Sequence, residues 1–248
     1  MIETPLPVGL FEGLCSTRAI RRYTDEPISD EALRDMLFAA TRAPSGSNRQ
    51  PFRFLVLRDG EKAQRAKQLV ADAAQKIWVG KQKSDGYGEG SGVRPDSPKA
   101  RMAATMQHYV DHFAEVPVLV FACLERYRPE ESYADGNVSL YTFDGSSLYP
   151  AVQNLLLAAR ALGFGGALTG FHMAVETELR ELLAIPKDVM IGATITLGKP
   201  AGAHGSVRRR PMGELIYGDT WGEAPMWAVD PEGTRFTQAG PPRPKAGR

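Results

Sequence analysis

Apolar positions recur along the chain at helical and at continuous spacing in turn. Leu33, Met36, Leu37 and Ala40 share one helix face, and Ser29 or Asp30 stands ready to cap a helix beginning near Glu31. Pro44 stops it, and the run APSGSNRQP over 43–51 reads as a loop. Residues 52–57 form a short apolar run closed by Asp59-Gly60, the pattern of a buried strand. Helical spacing returns over 61–78 and again over 99–113. Between them, residues 80–98 are rich in Gly, Ser, Asp and Pro and predict a long loop, either a lid or a disordered segment. Residues 116–124 are strongly apolar and predict a strand, with Pro117 at a first position or an edge. Residues 126–144 have no period and predict a second irregular stretch. Leu148, Val152, Leu155, Leu156, Ala159 and Leu162 predict the strongest helix, ended by Gly163. A strand over 164–169, a short helix over 176–183 stopped by Ile185-Pro186, and a strand over 189–197 closed by Gly198-Lys199-Pro200 follow.

The tally is about five helices and four strands, without regular βαβ alternation. That predicts a mixed α+β fold in one domain. We place the domain over 1–222 and a Pro/Gly-rich tail over 223–248, a candidate to lie across a partner subunit. No internal repeat interrupts this order.

Composition narrows the class. A chain of 248 residues with 43% apolar and 24% charged residues builds a full core and is neither disordered nor collagen-like. Lys+Arg is 30 against Asp+Glu 29, a net charge of +1. This excludes a whole surface built for nucleic acid or anionic lipid, though not a local basic pocket. Cys15 and Cys123 are too few for a disulfide scaffold and fit no zinc spacing, so both are expected as free thiols in a reducing compartment. No apolar run reaches the length of a membrane span, and the first residues lack the basic start and apolar stretch of a signal peptide. A cytoplasmic location is the expectation.

Candidate chemistry concentrates in four places. Arg18, Arg21 and Arg22 in STRAIRRY put three guanidinium groups within five residues, a cost in repulsion that an anion would relieve. A solvated basic turn is the alternative. Arg208, Arg209 and Arg210 form a second such run before Pro211, and a lone triplet in a neutral chain is poor support for nucleic acid. The loop 44–51 packs hydroxyl, amide and free backbone groups, suited either to a flat polar ligand or to an ordinary connection. Gly163, Gly165, Gly166 and Gly170 surround one strand, for close approach of a ligand or for tight packing, and no Gly-x-Gly-x-x-Gly fingerprint is present. His108 and His112 in HYVDH lack the Glu of a zinc-protease helix, so no metal is expected and an amphipathic helix suffices. His172, after Gly170-Phe171, is a candidate to line a pocket. Gly145-Ser146-Ser147 lacks the flanks of a nucleophile elbow.

Taken together, TRAIRRYTDEPI (17–28), APSGSNRQPFRF (43–54), SLYPAVQNLLLAARALGFGGALTG (147–170) and VRRRPMGELIYGDTWG (207–222) resemble the FMN-dependent nitroreductase family. The resemblance covers roughly 14–222. It implies an α+β fold with a central, mainly antiparallel sheet flanked by helices, and an intertwined homodimer with FMN at the interface. It implies Arg18, Ala19 and Arg21 on the ribityl-phosphate side, with Arg21 also toward the pyrimidine edge, and Arg209, with Arg208 less directly, at the phosphate. Pro44, Ser45, Gly46 and Asn48 would approach from the other subunit, and Leu168, Thr169 and Gly170 would lie near flavin N5. Thr17 and Ala19 depart from the family's common Arg and Ser, which weakens side-chain contacts there. The implied reaction takes hydride from NADPH or NADH and reduces nitroaromatic or quinone acceptors by a ping-pong scheme, with no catalytic side chain and no metal. The alternatives are a relative that cleaves flavin or removes halogen reductively, a flavin store or sensor without turnover, and, least of all, a nucleic-acid binder.

Overall fold

The computed structural model describes residues 8–84, 94, 97–126 and 138–237, with side chains from 145 onward in the last stretch. Strand β2 (Val118–Glu125) explains the layering. Val118, Val120, Ala122 and Leu124 belong to one buried cluster, while Leu119, Phe121 and Cys123 belong to another. A strand buried on both faces reads as a continuous apolar run. The sheet order is β1-β2-β4-β3, with β1 (Phe52–Leu57), β3 (Gly165–Thr169) and β4 (Val189–Gly198), and every neighbouring pair is antiparallel. The expected α+β class with an antiparallel sheet is therefore present.

On one face α2 (Asp30–Ala40) packs against α5 (Val138–Ala161), through Leu33, Met36 and Ala40 on the first and Leu148, Val152 and Leu155 on the second. The other face carries α3 (Glu61–Ser84), α4 (Pro98–Asp111) and α6 (Glu176–Leu183), whose buried members include Ala66, Val70, Trp78, Tyr109 and Leu179. The choice at the start of α2 falls to Ser29, whose Oγ accepts from the Ala32 amide at 3.1 Å. Ser97 caps α4 in the same way, with Pro98 opening the helix.

Three boundaries differ from the pattern. Helix α3 runs on to Ser84, so residues 80–84 of the expected loop are helical, and Ser97 and Pro98 belong to α4. Residues 85–93 and 95–96, the rest of that expected lid, lie outside the described residues. Helix α5 starts at Val138, inside the stretch expected to be irregular, of which 127–137 lie outside the described residues. Extending a packed helix costs little once its nucleus exists, so a segment without apolar period still joins it. Helix α1 (Leu10–Ser16) was absent from the pattern because Leu10, Phe11 and Leu14 are 71%, 81% and 47% exposed. The apolar side chains mark no inward face. Gly163 closes the turn after α5 at φ +80, a conformation suited to glycine.

The chain divides into two compact units, 1–203 and 204–248. In the second, residues before and after 222 are hydrogen-bonded to one another. The Met212 amide donates to Asp230 Oδ2 at 2.9 Å, and the Thr237 amide to the Arg209 carbonyl at 3.0 Å. Among the described residues no helix is long and apolar enough to cross a membrane.

Candidate functional site

The segment carrying the first arginine cluster runs along the β3 side of the sheet. The Ile20 amide donates to the Gly166 carbonyl, and the Thr24 amide to the Lys199 carbonyl, each at 2.9 Å. Glycines in β3 make this approach possible. A Cβ on Gly165 would stand 2.5 Å from Ile20 Cγ1, and one on Gly166 2.5 Å from the Thr196 carbonyl oxygen. At these two positions tight chain packing is the reason for glycine, rather than a ligand.

Anchored this way, Arg18 and Ala19 are exposed and Arg21 is half-buried. The Arg21 guanidinium carbon lies 6.0 Å from the centre of the Tyr109 ring, within reach of a cation–π contact. Its Nε is buried with no hydrogen-bond partner among the described residues. None of Arg18, Arg21 and Arg22 has a carboxylate within 4.0 Å among the described residues, although Asp25, Asp59 and Glu115 stand around the same cavity as Arg21 and Arg22. Tyr109 is fixed from below. Its hydroxyl lies 2.8 Å from Thr196 Oγ1, which also meets the Tyr23 hydroxyl at 2.7 Å, and Tyr23 donates to the Ile20 carbonyl at 2.6 Å. With the Tyr23 proton on Ile20, Thr196 donates to Tyr23 and accepts from Tyr109. Burial raises both phenols well above their ordinary range, so both are neutral donors at physiological pH.

A cavity of about 400 Å³ opens here, lined by Arg21, Arg22, Tyr109, His108, His112 and Arg58 among others. The sequence reading missed Tyr109 and set His108 aside as part of a helix face. The signal for both was their adjacency in the HYVDH run, close to the helix end. The His108 and His112 rings lie tilted against each other with centres 4.4 Å apart, and His112 Nδ1 lies 2.9 Å from Glu115 Oε2. Desolvation, His112 and Arg22 lower the His108 pKa, in that order. Among the described residues no group of three potential ligands could hold a metal ion.

At the end of β3, Leu168 and Gly170 are exposed and Thr169 is half-buried, its Oγ1 buried without a partner. The next turn is pinned by His172. His172 is 2% exposed, so it does not line a pocket as the sequence suggested. Its Nε2 donates to the Ile191 carbonyl at 2.9 Å, which leaves Nδ1 to accept from the Thr194 hydroxyl at 2.8 Å. Ile191 adjoins a register shift in the β2–β4 ladder, where Gly192 is left over. His172 thus satisfies a carbonyl at a bulge and ties it to the turn after Gly170.

Pro44, Ser45, Gly46 and Asn48 stand at the opposite edge of the sheet, before β1. Ser47, Asn48 and Gln50 adopt left-handed φ of 51°, 52° and 51°. Such strain persists only where surroundings enforce it. Ser45 Oγ accepts from the Gln50 amide at 2.9 Å, and Ser147 Oγ accepts from the Gly46 amide at 3.2 Å. Pro44, Gly46 and Asn48 remain exposed. Within one chain, two strands separate this loop from β3. Arg208 and Arg209 belong to the second unit and are exposed there. Cys15 is exposed and Cys123 buried, both free, and burial pushes the Cys123 thiol up to about 11, far from a nucleophilic thiolate.

Residues 15–199 match the model of the nitroreductase family, and the chain belongs to that family. An Archaeoglobus fulgidus protein provisionally named NADH dehydrogenase/NAD(P)H nitroreductase is 30% identical over 187 residues, covering 74% of this chain and 80% of its own. The Bacillus subtilis FMN reductase [NAD(P)H] is 24% identical over 221 residues, 86% of this chain and 74% of its own. Among solved structures, a provisionally named nitroreductase from Desulfovibrio desulfuricans in complex with FMN superposes with a TM-score of 0.56 at 30% identity, covering 88% of this chain and 99% of its own.

Proposed function

We propose that this protein is an FMN-dependent oxidoreductase that takes hydride from NADPH or NADH and reduces nitroaromatic or quinone acceptors. The observation that carries this reading is the half-buried Arg21, whose Nε has no partner among the described residues, on a segment bonded to the strand that ends in Thr169, whose Oγ1 is equally unpartnered there. Buried polar groups are nearly always satisfied, so two orphans on adjoining elements fit a polar ligand. The FMN named with the Desulfovibrio desulfuricans relative supplies that chemistry.

When bound, FMN supplies the N5 position that accepts and returns hydride. The chain's own residues hold it and tune it. Arg21, over the Tyr109 ring, would set a fixed positive charge beside the bound group and favour its reduced form. Arg18 and Ala19 are assigned to the ribityl-phosphate end, and Leu168, Thr169 and Gly170 to the edge near N5. Donor and acceptor would use the bound group in turn, which is the ping-pong scheme, and no side chain is assigned as nucleophile or metal ligand.

Pro44, Ser45, Gly46 and Asn48 are assigned to the site of a second copy. Their place on the far edge of the sheet, about 14 Å from β3 by strand spacing, supports supply across a homodimer rather than within one chain. An anaerobic absorbance spectrum of the purified protein tests the whole reading. A yellow protein that bleaches with NADPH or NADH and recolours with a quinone or nitroaromatic is the expected result. A yellow protein that neither nucleotide bleaches means flavin storage or another donor, and a colourless protein that FMN cannot reconstitute ends the proposal.

A further inference from the structure

We propose that Thr196 is a positioning residue for the cofactor: through its one hydroxyl it holds Arg21 from two ends, and so steadies the positive charge that favours the reduced form of the bound group. This rests on the reading of Arg21 as part of the FMN site. Thr196 also stands beside Thr169, whose Oγ1 is the other buried orphan. Across the β3–β4 ladder Ala167 pairs with Thr196 and Thr169 with Thr194, so Thr169 and Thr196 are diagonal neighbours on one face of the sheet.

Arg21 has little else to order it. Among the described residues its side chain makes no ion pair and no hydrogen bond. Holding a free arginine in one rotamer costs on the order of 2 kcal/mol. What its head does meet is the Tyr109 ring, whose centre lies 6.0 Å from the guanidinium carbon. That ring is fully buried and packs edge-on against Phe113, with centres 5.3 Å apart. Its hydroxyl lies 2.8 Å from Thr196 Oγ1. The same Oγ1 lies 2.7 Å from the Tyr23 hydroxyl, which donates to the Ile20 carbonyl at 2.6 Å. That carbonyl belongs to the peptide bond leading into Arg21. The backbone and the head of one arginine therefore reach a single hydroxyl through two phenols. Thr196 is itself fully buried, so water does not compete for these bonds.

A fixed charge favours a neighbouring opposite charge according to how closely and how steadily it is held. Valine at 196 keeps the branched shape and removes the hydroxyl that both phenols share. Tyr109 then loses its anchor, and Tyr23 keeps only carbonyl acceptors. The Arg21 head spreads over more positions, and the reduced form of the bound group loses part of its advantage. Serine keeps the hydroxyl and with it the hold.

The test is the midpoint potential of bound FMN in Thr196→Val, Thr196→Ser and Tyr109→Phe, each made with Arg21 present and in an Arg21→Ala background. With Arg21 present, Thr196→Val and Tyr109→Phe should weaken the preference for reduced over oxidised FMN about three- to tenfold, the scale of one hydrogen bond. Thr196→Ser should stay close to wild type. In the Arg21→Ala background the same changes should shift the potential little. Equal shifts with and without Arg21, or folded variants at the wild-type potential, overturn the inference. The Arg21 Nε–H in the FMN-free protein gives a reading independent of the cofactor: its NMR order parameter should fall in Tyr109→Phe, and an unchanged value overturns the proposal. If Thr196→Val does not fold, Tyr109→Phe decides by both measurements. Wild type that binds no FMN, or Arg21→Ala with an unchanged potential, fails the reading of the Arg21 site itself, a result distinct from a potential that answers to Arg21 and not to Thr196.

Discussion

His172 shows how one side chain organises a functional edge without reaching a ligand. It is neutral in the fold because burial removes water, an effect that outweighs the Ile191 carbonyl and Glu176, both of which favour the charged ring. Its folded pKa therefore lies below the ordinary 6.5. Between the two values the unfolded chain binds more protons, so the contribution to stability is complete above about pH 6.5 and is lost as pH falls below it. The slope of unfolding free energy between pH 7.5 and 5.5 should be flatter in His172→Gln than in wild type, and equal slopes would deny His172 this role. Thr169 is the opposite case. Its buried hydroxyl has no partner among the described residues, so Thr169→Val should leave the apoprotein as stable or up to about 1 kcal/mol more stable. The same change should weaken FMN binding about three- to tenfold, read by fluorescence titration. A variant with unchanged affinity would place Thr169 outside the site.

At the scale of elements, the contact between the 18–24 segment and β3 positions Arg21, and it depends on the absence of side chains. A methyl on Gly166 would meet the Thr196 carbonyl at 2.5 Å and Leu197 Cδ2 at 2.8 Å, neither free to withdraw from the sheet interior. Gly166→Ala should cost about 1–3 kcal/mol, read as a lowered thermal midpoint. Gly205→Ala, with nothing within 4 Å, should change stability by less than about 0.5 kcal/mol. Equal midpoints for the two variants would mean that the strand relaxes around the methyl. The elements themselves were legible where burial and period agree: α2, α6, β1 and β4 lie within a residue or so of the reading from pattern. They were illegible where helix formation continues past the packed face, as in α5, or where apolar side chains point outward, as in α1.

At the scale of the whole molecule, the assigned site is split between the two edges of the sheet. Arg21 and Thr169 lie on the β3 side, and the strained loop 44–50 on the β1 side. A second copy is the simplest way to bring both to one ligand. Exposed Phe11, Phe38 and Tyr149, on α1, α2 and α5, add apolar surface suited to such a partner. Light scattering of the FMN-loaded protein should give twice the chain mass. A holo monomer would leave Pro44 to Asn48 without a role in the site.

The sequence alone determined the layered α+β class, because period and burial are written residue by residue. It also determined the arginine-rich and glycine-rich segments that carry the family resemblance, because those rely on local composition. Tertiary structure decided which of the candidates have work left to do. His172 and Arg21 both stand in the chain as polar residues suited to a ligand. Only the fold shows that His172 spends both ring nitrogens on β4, while Arg21 keeps a buried donor unpaired beside Tyr109. Whether a polar group is satisfied depends on atoms distant in sequence, and local pattern carries no record of them.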